Sequence, residues 1–564
     1  VKVRRLFAAV LFLGISALLL FSGAEAQQDD LELSISGILV DSHDGPVGQG
    51  AVTLHSVGDE TVLAEAASRD NGVFLLDVPE SLDTPLELSI ERNHYESTSY
   101  KFNTDQMAEL RDGHSLNLQE IVLERKVGPA LWIATLVFVL MLVLVASDIH
   151  NTLAALLGAT LILGISYLGK PLFEGLEIIS FATAMDHVDW NVIFLVMGMM
   201  IVIAVVERTG IFQWLAFMAY RASGGRTWLL LPILMLVTGV ASALLDNVTT
   251  MLLMTPISVQ IAIAMGINPL TLLIPEVMAS NVIGISTLIG TPTNIIIGSY
   301  AGISFNGFLT NLTPGVLLAM VGLVLYCEYI YRHDLQPGGS ISESLHKKLE
   351  EGARISEPVH LTKAGVVLII MLVLFVTGEH FHLPSSVIAL MGATALLIWI
   401  RPDIDKMISA VDWTTLVFFI ALFIVVGALQ EVGLISFIAE FIGDLVGENL
   451  LLAMMAITWF SAILSMIVAN IPFAAAMLPV IGYLSTRIPG ADSNVLFFCL
   501  AVGTAMGGNG SLIGASANMV TAGIAERAGY PISYTYFMKK GLPALFITVA
   551  LGSIWLVLHF LILH

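Results

Sequence analysis

Two long stretches of the chain repeat one pattern, and that duplication constrains the fold more than any other feature. In the first, Val188-Asp189-Trp190 opens an apolar run, Gly210 interrupts it, and Asp246-Asn247-Val248-Thr249-Thr250 breaks the next run ahead of MLLMTP. In the second, Val411-Asp412-Trp413 is followed by Gly433 and by Ala469-Asn470-Ile471-Pro472-Phe473 ahead of AAAMLP. Trp190 to Gly210 and Trp413 to Gly433 are both 20 residues, and Asp189 to Asp246 and Asp412 to Ala469 are both 57. Each copy then reaches a second break, IGTPTN (289–294) and IGASAN (513–518). Such polar breaks are tolerated at membrane depth only where the backbone is buried in protein or lines a cavity. A duplicated half, broken twice, is the pattern of secondary transporters.

Composition agrees with a membrane body. Hydrophobic residues make up 56% of the chain, charged residues 12%, and mean hydropathy is +0.87, against about 25% charged residues in soluble domains. The net charge of −21 reads as solvation of residues 28–125 and the loops, since net charge speaks to solubility before function. No basic stripe is present, which argues against nucleic acid as a partner. Cys327 and Cys499 both sit in apolar runs and read as packing residues. No catalytic triad, Walker motif or HExxH occurs, so the expectation is a protein that is not an enzyme and needs no cofactor.

Residues 1–26 read as a signal peptide: Lys2, Arg4 and Arg5, an apolar run from Leu6 to Phe21, then Ala24-Glu25-Ala26. An uncleaved anchor is the alternative, and both place the next segment outside the cytoplasm. Residues 30–125 alternate with period two (LELSISGILV, AVTLHSV, GVFLLDVP, LELSIER) between turns such as Asp70-Asn71-Gly72. This predicts a small all-β sandwich. Apolar runs long enough to span a bilayer recur at 131–146, 151–168, 191–207, 270–299, 312–331, 364–378, 385–400, 414–429 and 541–562. Segments 211–222 and 434–446 are shorter and amphipathic, and read as interfacial helices. The polar linker 333–361 separates membrane repeat 1 (127–332) from membrane repeat 2 (362–564). With the runs around Asp246 and Asn470 taken as re-entrant hairpins, nearly all Lys and Arg residues of the membrane region fall inside. Only Lys126, Lys170 and Arg487 fall outside. The two copies then run in opposite senses. The charge placement orients the chain but does not itself demand re-entrance.

The candidate site gathers at the breaks. Asp246 is an acid in mid-hairpin, and an intramembrane acid is a functional hypothesis by default. Ser242, Asn247, Thr249, Gly290, Thr291 and Asn294 complete an oxygen-rich set suited to a hard cation, by extension from other hard-cation sites. A Na+ ion is expected at Ser242, Asp246, Asn247 and Gly290. Capping of the following helix by Asp246 is the structural alternative and is compatible with ion binding. The second copy offers Ser465, Asn470, Gly514, Ala515, Ser516 and Asn518, with Ala469 where the acid would be. Helix N-termini opening at both breaks favour an anion. Gly507-Gly508-Asn509-Gly510-Ser511 reads as close packing of small residues, with ligand contact as the alternative, and Ser280-Asn281 reads as packing. Glu276 reads as a proton carrier or a helix-start acid. Asp189 and Asp412 read as helix caps beside an aromatic belt.

The chain resembles the ion transporter superfamily in its arsenite permease and Na+/H+ antiporter (ArsB/NhaD-type) branch, and most of all the melanosomal P protein branch. The motifs are ALLDNVTTMLL, GTPTN, and GGNGSLIGASANMVTAGIAERAGY followed by Phe537, Gly541 and Pro543. The likeness spans 127–564. The sandwich is similar to the carboxypeptidase regulatory-like fold. The resemblance implies a polytopic α-helical membrane protein with inverted repeats and two re-entrant hairpins, an elevator-type ion transporter fold that is usually a homodimer. With the exported sandwich, the expected place is the bilayer of the cell inner membrane. In the sodium-coupled dicarboxylate branch a Ser-Asn-Thr triplet stands at each hairpin tip. Here Asp246-Asn247-Val248 and Ala469-Asn470-Ile471 replace it, and P-type relatives carry an acid at the second tip as well. The expected activity is secondary transport of a small inorganic or organic ion, an anion first, coupled to a Na+ or H+ gradient. A Na+/H+ antiporter and an anion channel on the same scaffold are the alternatives. A receptor whose sandwich signals through the membrane part is a third class.

Overall fold

The computed structural model describes residues 33–563 except 42–44, 58–60, 70, 79–84, 113, 147–149, 170–175 and 336–354. The expected signal peptide and the greater part of the expected linker lie outside the described residues. The chain divides after Lys126 into two units, each packed mainly against itself.

The first unit is built from two sheets. β1 (Ser34–Asp41) pairs antiparallel with β4 (Val73–Asp77) and parallel with β7 (Leu116–Leu123). The other sheet has the order β3-β2-β5-β6, with β2 at Ala51–Ser56, β3 at Val62–Ala67, β5 at Leu86–Glu91 and β6 at Thr98–Lys101. Alternation puts one residue in two inside: Leu86, Leu88 and Ile90 of β5 are buried, as are Val52 and Leu54 of β2. They close a core with Ile35, Leu39, Phe74 and Leu76. One helix, Thr104–Arg111, is absent from the strand pattern of the sequence. Asn103 and Gln106 form a reciprocal capping box at its start.

The second unit is helical from Pro129 on. Among the described residues nine helices are long and apolar enough to cross a membrane. The element order of one half recurs in the other. Pro129–Ala146, Asn151–Gly169 and Trp190–Glu207 correspond to Pro358–Thr377, Ser385–Ile400 and Trp413–Glu431. The amphipathic pair is Ile211–Ala222 and Leu434–Val446, each following a glycine in the left-handed region, Gly210 at φ 79° and Gly433 at φ 84°. A side chain with a Cβ there would be strained by about 1–2 kcal/mol, which accounts for a glycine 20 residues beyond each tryptophan. Asp189 and Asp412 cap their helices through Asn191 N and Thr415 N, as the sequence predicts.

Next comes the broken pair: Thr227–Leu244 then Asn247–Ala264, matched by Leu450–Ile467 then Asn470–Arg487. The run 270–299 is two helices, Leu270–Ile283 and Pro292–Ala301, with a single 3-10 turn at Gly284–Ser286. Val495–Gly507, Gly508–Gly510 and Ser516–Arg527 repeat this arrangement. The helices Leu270–Ile283 and Val495–Gly507 are buried almost throughout, as expected for helices enclosed by protein on all sides. Packing partners are exchanged between the halves. Trp190–Glu207 packs on Ser385–Ile400, and Trp413–Glu431 on Asn151–Gly169. Asn247–Ala264 packs on Ser516–Arg527, and Pro292–Ala301 on Asn470–Arg487.

Candidate functional site

The breaks arise from local chemistry. At Leu245 and Asp246 the backbone leaves the helix, with Asp246 extended at φ −175°, and the Asp246 carboxylate accepts from Thr249 N at 2.8 Å. Asp246 therefore caps Asn247–Ala264, and it is half-buried rather than sealed. Thr291 caps Pro292–Ala301 by accepting from Asn294 N at 3.2 Å. The second copy lacks both caps. Ala469 and Ala515 stand at the starts of Asn470–Arg487 and Ser516–Arg527 without a side-chain cap. Orphan N–H groups at those two helix starts are left without a side-chain acceptor.

Around the breaks the copies repeat their hydrogen bonds. Asn294 Nδ2 donates to the carbonyls of Ile285 and Thr287 at 2.9 and 2.8 Å. Asn518 Nδ2 donates to those of Gly508 and Ser511 at 2.8 and 2.9 Å. Thr287 and Ser511 donate to the carbonyls of Ala243 and Met466 on the inbound helices. Ser242 Oγ donates to Ser280 O at 3.1 Å, and Ser465 Oγ to Thr504 O at 2.7 Å. Glycine is required where backbones meet. A Cβ at Gly290 would stand 2.2 Å from Gly284 O, and one at Gly514 would stand 2.9 Å from Gly508 O. Ser242, Gly284 and Gly290 thus converge, since a Cβ on Gly284 would lie 3.1 Å from Ser242 Oγ.

The two candidate sets meet at Asn281. Its Oδ1 accepts from Asn247 Nδ2 at 3.0 Å, and its Nδ2 donates to Asn509 Oδ1 at 2.9 Å and Asn518 Oδ1 at 3.1 Å. The packing reading of Ser280-Asn281 and of Asn509 is corrected here, because these side chains form the polar link between halves. The packing reading of the neighbouring glycines holds: a Cβ at Gly507 would stand 2.5 Å from Ala462 O. Asn247 Oδ1 and Asn294 Oδ1 are buried without a partner. Orphaned oxygens of this kind cost about 1–3 kcal/mol each, and they are free to face a cation. Asn470 is buried at 4% exposure, and Thr249 and Ser516 are half-buried. Asp246 bonds to none of Ser242, Asn247 and Gly290, so the expected Na+ set is not drawn together around its carboxylate by direct bonds. Glu276 lies inside Leu270–Ile283, not at a helix start.

Comparison with known proteins follows the same outline. The family described as "Citrate transporter" matches residues 131–503. An uncharacterized transporter of Mycobacterium tuberculosis is 37% identical over 435 residues, covering 77% of this chain and 99% of the relative. An uncharacterized transporter of Synechocystis sp. is 33% identical, covering 74% of this chain and 95% of its own. The P protein of Homo sapiens is 31% identical, covering 72% of this chain and 57% of that protein, in keeping with the resemblance read from the glycine-rich motif. The crystal structure of the Alcanivorax borkumensis YdaH transporter matches with a TM-score of 0.52 at 13% identity, over 72% of this chain and 97% of that one. At that identity the likeness concerns the fold alone. With a YdaH-like helical body, and relatives of this identity that it covers nearly end to end, the chain belongs to the citrate transporter family and is a multi-pass membrane transporter.

Proposed function

We propose that this transporter carries a small anion across the cell inner membrane by alternating access, driven by a Na+ or H+ gradient. The observation that carries this reading is the meeting of both breaks at one buried amide cluster. Polar groups concentrate there in a body that is otherwise apolar, and both uncapped helix starts belong to the second copy. Uncapped N–H groups at a helix start favour an anion. The orphaned oxygens of Asn247 and Asn294, with Ser242, the Gly290 backbone and Asp246, suit a Na+ ion on the first-copy side. No cofactor beyond the coupling ion is needed. The exchange of packing partners between halves supports inverted repeats and re-entrant hairpins moving as an elevator. The lysine and arginine placement supports a sandwich on the periplasmic or extracellular face, and a homodimer is the assembly proposed.

Na+/H+ antiport is the second reading, favoured by the half-buried Asp246 carboxylate at the first break. The test is uptake into liposomes holding the purified full chain. Citrate, chloride, phosphate, sulfate, arsenite and Na+ are offered under imposed Na+ and pH gradients. Accumulation of an anion driven by either gradient is the expected result. Na+ flux driven by the pH gradient, with no anion moved, selects the antiporter. Flux that only follows the membrane potential, without accumulation against a gradient, selects the anion channel.

A further inference from the structure

We propose that Glu276 is a proton-binding site of the transport cycle, separate from the hairpin break, and that it loads and unloads one proton as the protein works. This rests on the transport reading and names the proton as a coupling ion. Glu276 is 0% exposed at the middle of Leu270–Ile283. Its Oε2 accepts from Ser258 Oγ at 2.8 Å and from Thr238 Oγ1 at 3.3 Å, while Oε1 is buried with no partner. Thr238 belongs to the inbound helix of the broken pair, and Ser258 to the outbound one. The carboxyl therefore ties both arms to the helix behind them.

The repeat supplies the contrast. The matching positions of the second copy are Leu500 for Glu276, Ser461 for Thr238 and Ile481 for Ser258. A leucine fills the same place there, and Ser461 Oγ is left without a partner. The packing alone does not need an acid. An acid inside a membrane helix is costly, and two hydroxyl bonds do not replace the cation partner that a buried carboxylate needs.

No cation faces it. The two hairpin arms carry no charged residue besides Asp246 at the break. The other helices packed on Leu270–Ile283 bring Glu328, Glu526, Arg527, Lys539 and Lys540 as their charged groups. None of these is bonded to Glu276 among the described residues, nor are Cys327, Cys499 or the tyrosines of those helices. The site connects to the break by one helical turn on each side. Thr238 is followed by Ser242 and Glu276 by Ser280, and Ser280 Oγ donates to Ser242 Oγ at 2.9 Å.

The step is a simple exchange. The carboxylate takes one proton from water on one side of the membrane, crosses as the neutral acid, and returns the proton to water on the other. No other bond forms or breaks. The oxygens at the break stay free for the transported ion.

The test uses the full chain in liposomes as wild type, Glu276→Gln, Glu276→Leu and Asp246→Asn. Gln keeps the hydroxyl bonds and Leu copies the residue of the second half, so the pair guards against simple misfolding. Infrared difference spectra between acid and alkaline buffer follow the carboxylic C=O stretch. The expected result is a pH-dependent carboxylic band in wild type and Asp246→Asn that both Glu276 variants lose. Absence of that band in wild type, or its survival in both Glu276 variants, overturns the proposal. An enclosed pH dye then reads proton movement while the ions of the uptake panel are offered in turn. Ion-linked proton movement in wild type, lost in Glu276→Gln with downhill ion flux retained, supports it. Failure of wild type to move any panel ion counts against the transport reading, and the infrared band still decides whether Glu276 exchanges a proton.

Discussion

The Asp246 carboxylate accepts from Thr249 N at 2.8 Å, with the Thr249 hydroxyl and Val248 N also bonded to it, and Asn would keep the cap through its side-chain oxygen because both are good caps. Asp246→Asn therefore removes charge while leaving the break intact. It is expected to lower gradient-driven accumulation far more than Ala469→Ser, which adds a cap to the second copy and no charge. Uptake at matched membrane levels checks this, and wild-type accumulation by Asp246→Asn would leave the residue a structural cap. Asn281 makes the opposite kind of case. Its amide satisfies Asn247, Asn509 and Asn518 at once, so Asn281→Ala orphans several buried groups at about 1–3 kcal/mol each. The expected outcome is a markedly lower Tm of the purified protein together with lost uptake; an unchanged Tm would show that water replaces the amide freely. Asn247, Asn294 and Asn518 are legible in the sequence because each copy carries an Asn at the same spacing, and Asp246 because it is an acid inside an apolar run. Asn281 and Asn509 are not, for a definite reason. In the repeat Asn281 aligns with Ala505 and Asn509 with Ile285, so the comparison of copies conceals the two side chains that join them.

At the scale of elements, the helices that face lipid announce themselves by length and hydropathy, and the amphipathic pair by the glycine before each. The breaks are legible too, because Asn, Gly and Pro interrupt apolar runs where a spanning helix has no use for them. Two buried helices are harder to read: Leu270–Ile283 blurs into the run 270–299, and Val495–Gly507 falls in none of the apolar runs read from the sequence. A helix enclosed on all sides shows no periodicity, and its ends are set by the turns that follow. In the sandwich, the parallel pairing of β1 with β7 depends on tertiary closure and has no local signal, and the helix at Thr104–Arg111 is mostly polar. The glycine-rich turn at 507–510 serves close approach. A Cβ at Gly541 would stand 2.1 Å from Asn509 O, so Gly541→Ala must push the helix Tyr534–Val557 off the turn that carries Asn509. Overpacking of this kind costs about 1–3 kcal/mol. Gly541→Ala is expected to lower Tm and uptake together, while Gly365→Ala, whose Cβ meets nothing within 4 Å, leaves both unchanged. Equal Tm for the two variants would show that the turn adjusts without strain.

For the whole molecule, the division after Lys126 bears on function. The sandwich closes its own apolar core, and every residue of the buried amide cluster belongs to the helical unit. Relatives argue the same way. The 435 matched residues make up 99% of the Mycobacterium tuberculosis transporter, a length close to that of Val127–His564. A chain of that size holds a transporter body and has no room for a sandwich in addition. The amide cluster and both broken pairs are assembled from residues of one unit. Deleting 30–125 while keeping an export signal is therefore expected to leave uptake within about twofold of wild type, a change of under ~0.5 kcal/mol in transport free energy at 1.4 kcal/mol per tenfold. The measurement is liposome uptake of the ion that wild type accumulates, with membrane insertion of the shortened chain verified first by its amount and Tm. Complete loss of uptake in a chain that still inserts and melts as wild type does would move the sandwich from accessory to part of the transport path. Retained uptake with altered dependence on external ion concentration would instead give the sandwich a role in delivering the ion to the mouth of the transporter.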